Sequence, residues 1–172
     1  MSPADSLDKT GEPVGKTSLR PVTVEDEALL FEIYCNGRAQ EIASVPWPDA
    51  QKEAFLRMQF TAQTNHYRDY YSGSEHNVIL LDNMPIGRVQ VTREQDRIEI
   101  LDITILEQYR GLGIGTPIIK EIMDRAAAAH LPVTIHVETF NPSVSLFRRL
   151  GFVVKQDDGV NLLFQWEREG YE

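Results

Sequence analysis

The stretch ILDITILEQYRGLGIGTPIIKEI, residues 100–122, constrains this chain more than any other segment. Apolar and β-branched residues over 98–106 read as a strand, and Ile118, Ile119, Ile122, Met123, Ala126 and Ala129 recur at helical spacing. Between them lies Arg110-Gly111-Leu112-Gly113-Ile114-Gly115. Three glycines at alternate positions let the backbone bend sharply and clear side chains from its surface. Several N–H groups can then face one oxyanion beside the positive end of a helix. A phosphate or diphosphate fits such a corner, with Thr116 expected as N-cap and Pro117 as the first helical residue. Glycine spacing alone leaves a ligand-free turn open. A dinucleotide fold needs G-x-G-x-x-G and several further strand–helix units, and although Glu138 mimics its ribose partner, only 57 residues follow Gly115.

The rest of the 172 residues limits what that corner can serve. Seventeen basic and 26 acidic side chains leave a formal charge of −9, which opposes binding to phosphate backbones and favours cationic partners. No nucleic-acid partner is expected. The longest apolar runs are four residues, so no membrane span is expected either. MSPADSLDK lacks the basic and apolar regions of a secretory signal, and a cytoplasmic location is the expectation. Cys35 is the only cysteine, and His66, His76, His130 and His136 show no metal spacing. No metal is expected.

Residues 1–17 are poor in large apolar side chains and read as a flexible tail, leaving one domain over 18–172. The tail's GEPVGKT lacks one residue, and a preceding strand, of a phosphate-binding loop. From residue 18 the chain alternates strand and helix signals. Strands are expected at 18–22, 78–81, 86–92, 98–106, 133–139, 152–156 and 161–166. Helices are expected from Thr23 to Gly37, from an Asp49 cap to about His66, from Thr116 to before Pro132, and from Asn141 to Gly151. The class is α+β, a mixed and mostly antiparallel sheet of about seven strands with about four helices.

Arg110-x-x-Gly113-x-Gly115 at the end of its strand, followed by Asn141-Pro142-Ser143-Val144-Ser145-Leu146-Phe147-Arg148-Arg149-Leu150-Gly151-Phe152, resembles the GNAT superfamily of acyl-CoA-dependent N-acetyltransferases. The resemblance implies a strand–helix–strand core around the acyl-CoA site. It implies that the amides of Arg110, Gly111, Leu112, Gly113, Ile114, Gly115 and Thr116 hold the diphosphate of acetyl-CoA. Main-chain groups of Ile103, Thr104 and Ile105 would pair with the pantetheine arm, Asn141 would touch that arm or order the next helix, and Phe147 would sit beside the thioester. The two strands flanking the site are expected to diverge. The function implied is direct transfer of an acetyl group from acetyl-CoA to an amine of a small molecule or peptide. A non-catalytic acyl-CoA-binding module is the alternative, with a nicotinamide-dependent oxidoreductase as a remoter rival. A second copy of the chain is the one macromolecular partner left open.

Acyl transfer to an amine needs a neutral nucleophile, stabilisation of the developing oxyanion and a proton for the departing thiolate. Two carboxylates, Glu99 and Asp102, fall in the strand before the glycine turn, and simple alternation puts them on opposite faces. Glu99, at the position where the family often carries its base, is preferred to Asp102. Phe147 stands where the family often has a proton-donating tyrosine, which leaves Ser145 or water to serve the sulfur. Gln59, Gln63, His66 and Tyr70 share one helical face that could line the acceptor pocket, with Trp47 and Tyr67 on the same wall. Glu99→Gln is expected to lower kcat at neutral pH while leaving acetyl-CoA affinity, measured by calorimetry, intact.

Overall fold

The computed structural model describes residues 15–170. Seven strands, β1 (Thr17–Pro21), β2 (Glu75–Leu81), β3 (Met84–Arg93), β4 (Ile98–Ile105), β5 (Val133–Glu138), β6 (Val153–Asp157) and β7 (Asn161–Trp166), form one sheet ordered β1-β2-β3-β4-β5-β7-β6. Every neighbouring pair is antiparallel except β4 and β5. Four α-helices accompany it: α1 (Glu27–Ala43), α2 (Asp49–Tyr70), α3 (Gly115–Ala128) and α4 (Ser143–Arg149). The expected α+β class and mixed sheet are therefore present. None of the helices among the described residues is long and apolar enough to cross a membrane. The expected tail falls mostly outside the described residues, but Thr17 already belongs to β1 and pairs with Leu81.

β2 and β3 join through Asp82 and Asn83, both with positive φ (50° and 65°), the two-residue turn whose twist suits a hairpin. Pro85, read as part of the turn, lies inside β3, where the register with β2 shifts. One face of the sheet carries Ile79, Ile86, Val89, Val91, Ile98, Ile100, Val133, Ile135 and Val137 against the apolar stripe of α3 and Phe147 of α4. Each fully buried isoleucine there contributes about 2 kcal/mol. α1 and α2 cover the opposite face and share a smaller cluster of Leu30, Tyr34, Leu56 and Phe60.

Several helix boundaries differ from those expected. α1 does not stop at Gly37 but runs on to Ala43, and a Cβ at Gly37 would lie 3.3 Å from Thr104 Cγ2. The glycine is there for close approach to β4, not to end the helix. Asp49 is the first residue of α2 rather than its cap, and α2 continues to Tyr70. α3 begins at Gly115, so Thr116 is inside the helix and Pro117 is its third residue, where it still removes no N–H that the helix uses. Gly151, with φ of 92°, closes α4 as expected.

Asp26 joins β1 to the start of α1. Its carboxylate accepts two hydrogen bonds from the Arg20 guanidinium at 2.8 Å each and one from the Thr23 N–H at 2.8 Å. Arg20 first, and then the Thr23 amide, hold this carboxyl well below the usual carboxylate range. A depressed native-state value contributes stability that is complete above the unfolded value and lost as pH falls through the native one. Asp26→Asn should therefore cost about 1 kcal/mol at pH 7. In urea unfolding the gap to the unsubstituted protein should be full above about pH 4 and narrow below it.

Candidate active site

The parallel pairing of β4 with β5 covers only Ile98 with Val133, Glu99 with Thr134 and Ile100 with Ile135. Beyond these residues the strands part, and a cleft of about 280 Å³ opens between them, covered by α1 and α2. Leu101, Asp102, Ile103 and Thr104 line one wall, and Ile135, His136, Val137 and Glu138 the other. Tyr34, Arg38, Gln63 and Tyr67 close the cleft from the helices. A shallower hollow of about 430 Å³ beside β6 is lined by Arg148, Phe152, Val153, Val154, Asp157, Leu162 and Phe164, and it lacks such converging polar groups.

Opposite β3, Gln90 pairs with Asp102 and Val91 with Ile100, so Leu101 is an extra residue, a β-bulge. The bulge overturns the simple alternation. Ile98 and Ile100 face α3, and Ile103 and Ile105 pack against that same cluster, so Glu99, Asp102 and Thr104 all face α1 and α2. Tyr67 Oη donates to the displaced Leu101 carbonyl at 3.0 Å. Burial, aided by the nearby Asp102 charge, pushes the Tyr67 phenol up to about 12, which keeps it a donor at neutral pH.

The two carboxylates have different surroundings. Asp102 lines the cleft, but its Oδ2 accepts from Arg88 and its Oδ1 from Thr104 Oγ1 at 2.7 Å. Arg88 is 3% exposed and also donates to Gln63 Oε1 at 2.7 Å. Glu99 is 7% exposed and lies behind the cleft wall. Its Oε2 accepts from Arg97 at 3.2 Å, and its Oε1 is 3.7 Å from His136 Nδ1. Beside this polar layer, burial first and the Arg88 charge second push His76 down to about 4, so its imidazole is neutral.

At the far end of β4 the glycine corner has the geometry its sequence suggested. Gly111 and Gly113 take φ of 72° and 75° and are exposed, and a Cβ on either would meet nothing within 4 Å. Leu112 and Ile114 alternate with them and are buried in the core, which pins the turn. Among the described residues the N–H groups of Gly111 to Ile114 have no hydrogen-bond partner. The donors begin at Gly111, because the Arg110 N–H is used by the Glu107 carbonyl at 3.1 Å. Arg110's side chain is not free for an anion either. Its Nε donates to the Ile105 carbonyl at 2.7 Å and its guanidinium to Asn36 Oδ1 at 3.1 Å.

Leu106 N donates to Ile86 O at 2.8 Å, which sets the phase of the β3–β4 ladder. Alternation then turns the main-chain groups of Ile103 and Ile105 away from β3 toward the opening, while Thr104 faces Arg88. Ile103 therefore turns both main-chain groups toward the opening and Ile105 its N–H, the Ile105 carbonyl being taken by Arg110. Asn141 lines the cleft, and its Oδ1 accepts the Ser143 N–H at 2.9 Å, ordering the start of α4. Phe147 is 1% exposed, stacked on Phe152 and Phe164 at the cleft floor. Ser145 faces away, its hydroxyl bonded to the Pro142 carbonyl at 3.1 Å. On α2 the expected stripe divides. Gln63 lines the cleft, Gln59 Oε1 accepts from Tyr34 Oη at 3.4 Å, and His66 and Tyr70 are exposed and stacked at 4.8 Å. Tyr67 does line the wall, whereas Trp47 packs on Phe55.

Arg38 and His136 are among the residues of the site that escaped sequence reasoning. Arg38 lies beyond Gly37, where α1 was expected to have ended. It donates to Glu138 Oε1 at 2.7 Å, joining α1 to β5 across the open end of the cleft. His136 was set aside for want of metal spacing, although strand alternation with Val133, Ile135 and Val137 marks it as facing away from the core. Because Arg88 and Asp102 compensate each other under the cleft, Arg88→Leu alone should cost about 3 kcal/mol, since it leaves a partly buried carboxylate unpaired. The double variant Arg88→Leu with Asp102→Leu should recover part of that loss in denaturant unfolding.

Comparison with known proteins agrees with this geometry. The model of the Acetyltransferase (GNAT) family matches residues 37–152, more than half of the chain. Among solved structures, PaiA N-acetyltransferase from Thermoplasma acidophilum in complex with coenzyme A superposes with a TM-score of 0.70 at 17% identity, covering 89% of this chain and 99% of that one. An acetyltransferase from Thermus thermophilus gives 0.63 at 18% identity, with coverage of 89% and 97%. A GNAT family acetyltransferase from Elizabethkingia anophelis with acetyl-CoA bound gives 0.59 at 15% identity, with coverage of 88% and 98%. No functionally curated protein matches the chain in sequence. At these identities the solved structures speak for the fold, and the family model for descent: this chain belongs to the GNAT acetyltransferase family.

Proposed function

We propose that this protein is an acetyl-CoA-dependent N-acetyltransferase that moves the acetyl group directly to an amine of a small molecule or peptide, with both substrates bound together. The observation that carries this reading is the row of unpartnered N–H groups from Gly111 to Ile114, past the end of β4 and at the start of α3. Backbone donors that neither the fold nor side chains satisfy, in a turn cleared by glycine, suit the diphosphate of a coenzyme A thioester. From there the pantetheine arm would follow the open edge of β4 at Ile103 and Ile105, adding itself as a strand, with Asn141 and Phe147 on the other side. That the Thermoplasma and Elizabethkingia proteins are complexes with coenzyme A and acetyl-CoA supports a coenzyme A thioester as the cosubstrate.

The acceptor would enter from the side of α1 and α2. Asp102 and Glu138 line that end, each paired with an arginine, and the walls would hold the amine against the acyl carbon. Thiol release from acetyl-CoA, measured with spermidine, kanamycin and a short peptide bearing a free amino terminus, tests the reading, with products identified by mass. Turnover of at least one amine is expected. A coenzyme A thermal shift without turnover would instead support the acyl-CoA-binding alternative, for which Phe147 in place of a proton donor is the argument. Gly113→Val places a β-branched side chain at positive φ and over the N–H row. It should weaken coenzyme A binding about tenfold or more by calorimetry, equivalent to about 1.4 kcal/mol.

A further inference from the structure

We propose that His136 is the catalytic base of this transfer and that Glu99 is its positioning residue, an inference that rests on the acetyltransferase reading above. The carboxylate expected to act as base is not among the residues that line the cleft, whereas the neighbouring His136 is. The His136 side chain is 61% exposed, and its Nδ1 is 3.7 Å from Glu99 Oε1. That separation is ion-pair range, and contacts of this kind commonly tighten when substrate closes the site. Arg97 occupies the other oxygen of Glu99, so Oε1 is the oxygen left for the imidazole. With Nδ1 directed at Glu99, Nε2 lies on the far side of the ring and is left for the acceptor. Thr134, the register partner of Glu99, has a buried hydroxyl with no hydrogen-bond partner among the described residues, which places an unsatisfied polar atom beside this pair.

The other candidates in the cleft have partners of their own, Glu138 accepting from Arg38 at 2.7 Å. Both oxygens of Asp102 already accept hydrogen bonds. Tyr34, Tyr67 and Thr104 donate their hydroxyl protons to Gln59, the Leu101 carbonyl and Asp102. An imidazole can both take and return a proton within one reaction. An acceptor ammonium gives up two protons. The first passes through His136 to water, through the ring's exposed face, and frees the nitrogen lone pair. The C–N bond then forms, and as the C–S bond breaks the second proton moves from nitrogen to His136 and on to sulfur. The products are the amide, the thiol and one proton in solution. This route supplies the sulfur with the proton that Phe147 cannot give.

The charged and titratable groups around the imidazole are Glu99 on β4, Arg97 just before that strand, Asp158 from the β6–β7 turn, Glu138 on β5, Arg38 from α1 and Tyr67 from α2. The test compares the full-length protein with His136→Ala and Glu99→Gln, using acetyl-CoA and the amine panel named above. His136→Ala should lower kcat about 100-fold and leave coenzyme A affinity within twofold, with partial rescue by added imidazole. Glu99→Gln should lower kcat about tenfold with the KM for acetyl-CoA unchanged, and should cost little further in the His136→Ala background, a pattern that a merely structural role would not produce. Full kcat in His136→Ala, or a Glu99→Gln loss that persists undiminished in the His136→Ala background, overturns this proposal alone. An unsubstituted protein that binds coenzyme A but releases thiol with none of the amines overturns it together with the reading on which it rests.

Discussion

Three residue pairs hold β4 and β5 together, and everything functional here depends on their separating after the third. A parallel ladder that continued would seal the sheet and leave no room between the strands. The bulge at Leu101 shifts the register of β4 against β3, the Leu101 carbonyl turns to Tyr67, and the backbone edge at Ile103 and Ile105 is left facing the opening. Gly87 makes room for this arrangement from the other side, since a Cβ there would come within 2.3 Å of the Thr104 carbonyl oxygen. The opening is thus a consequence of backbone hydrogen bonding, reinforced by one phenol.

The two faces of the sheet serve different ends. Against α3 and α4 it is uniformly apolar, and that side holds the glycine corner rigid by burying Leu112 and Ile114 on either side of Gly113. Against α1 and α2 it carries Arg88, Gln90, Thr92 and Glu99, all buried. Burying such groups is costly unless they are paired, and Arg88 with Asp102 and Arg97 with Glu99 meet that requirement. The reaction proposed here belongs on the polar side and its cosubstrate's anchor on the edge of the apolar side. The cleft passes between them.

Much of the architecture was legible because it rests on local chemistry. The apolar stripe of α3, the Gly151 cap and the succession of strands and helices along the chain follow from positive-φ tolerance and from periods of 2 and 3.6 residues. The helix ends were less legible. Gly37 and Pro117 are read by default as boundary residues, but Gly37 answers a contact with Thr104, and Pro117 falls within the first turn of a helix that starts earlier. In the site, the glycine corner was readable from its spacing, whereas Arg110 proved to be a brace for the end of β4 rather than a free cation.

By itself the amino-acid sequence determined the corner of Gly111, Gly113 and Gly115 and the strand and helix that flank it, because backbone freedom and periodicity are properties of consecutive residues. Only the tertiary structure decided that Glu99 and Asp102 share a face, that Glu99 lies behind the cleft wall, and that His136 stands in front of it. Those outcomes depend on one extra residue in the pairing of β4 with β3 and on where β5 leaves β4. Hydrogen bonds between distant segments settle both, and no local pattern encodes them.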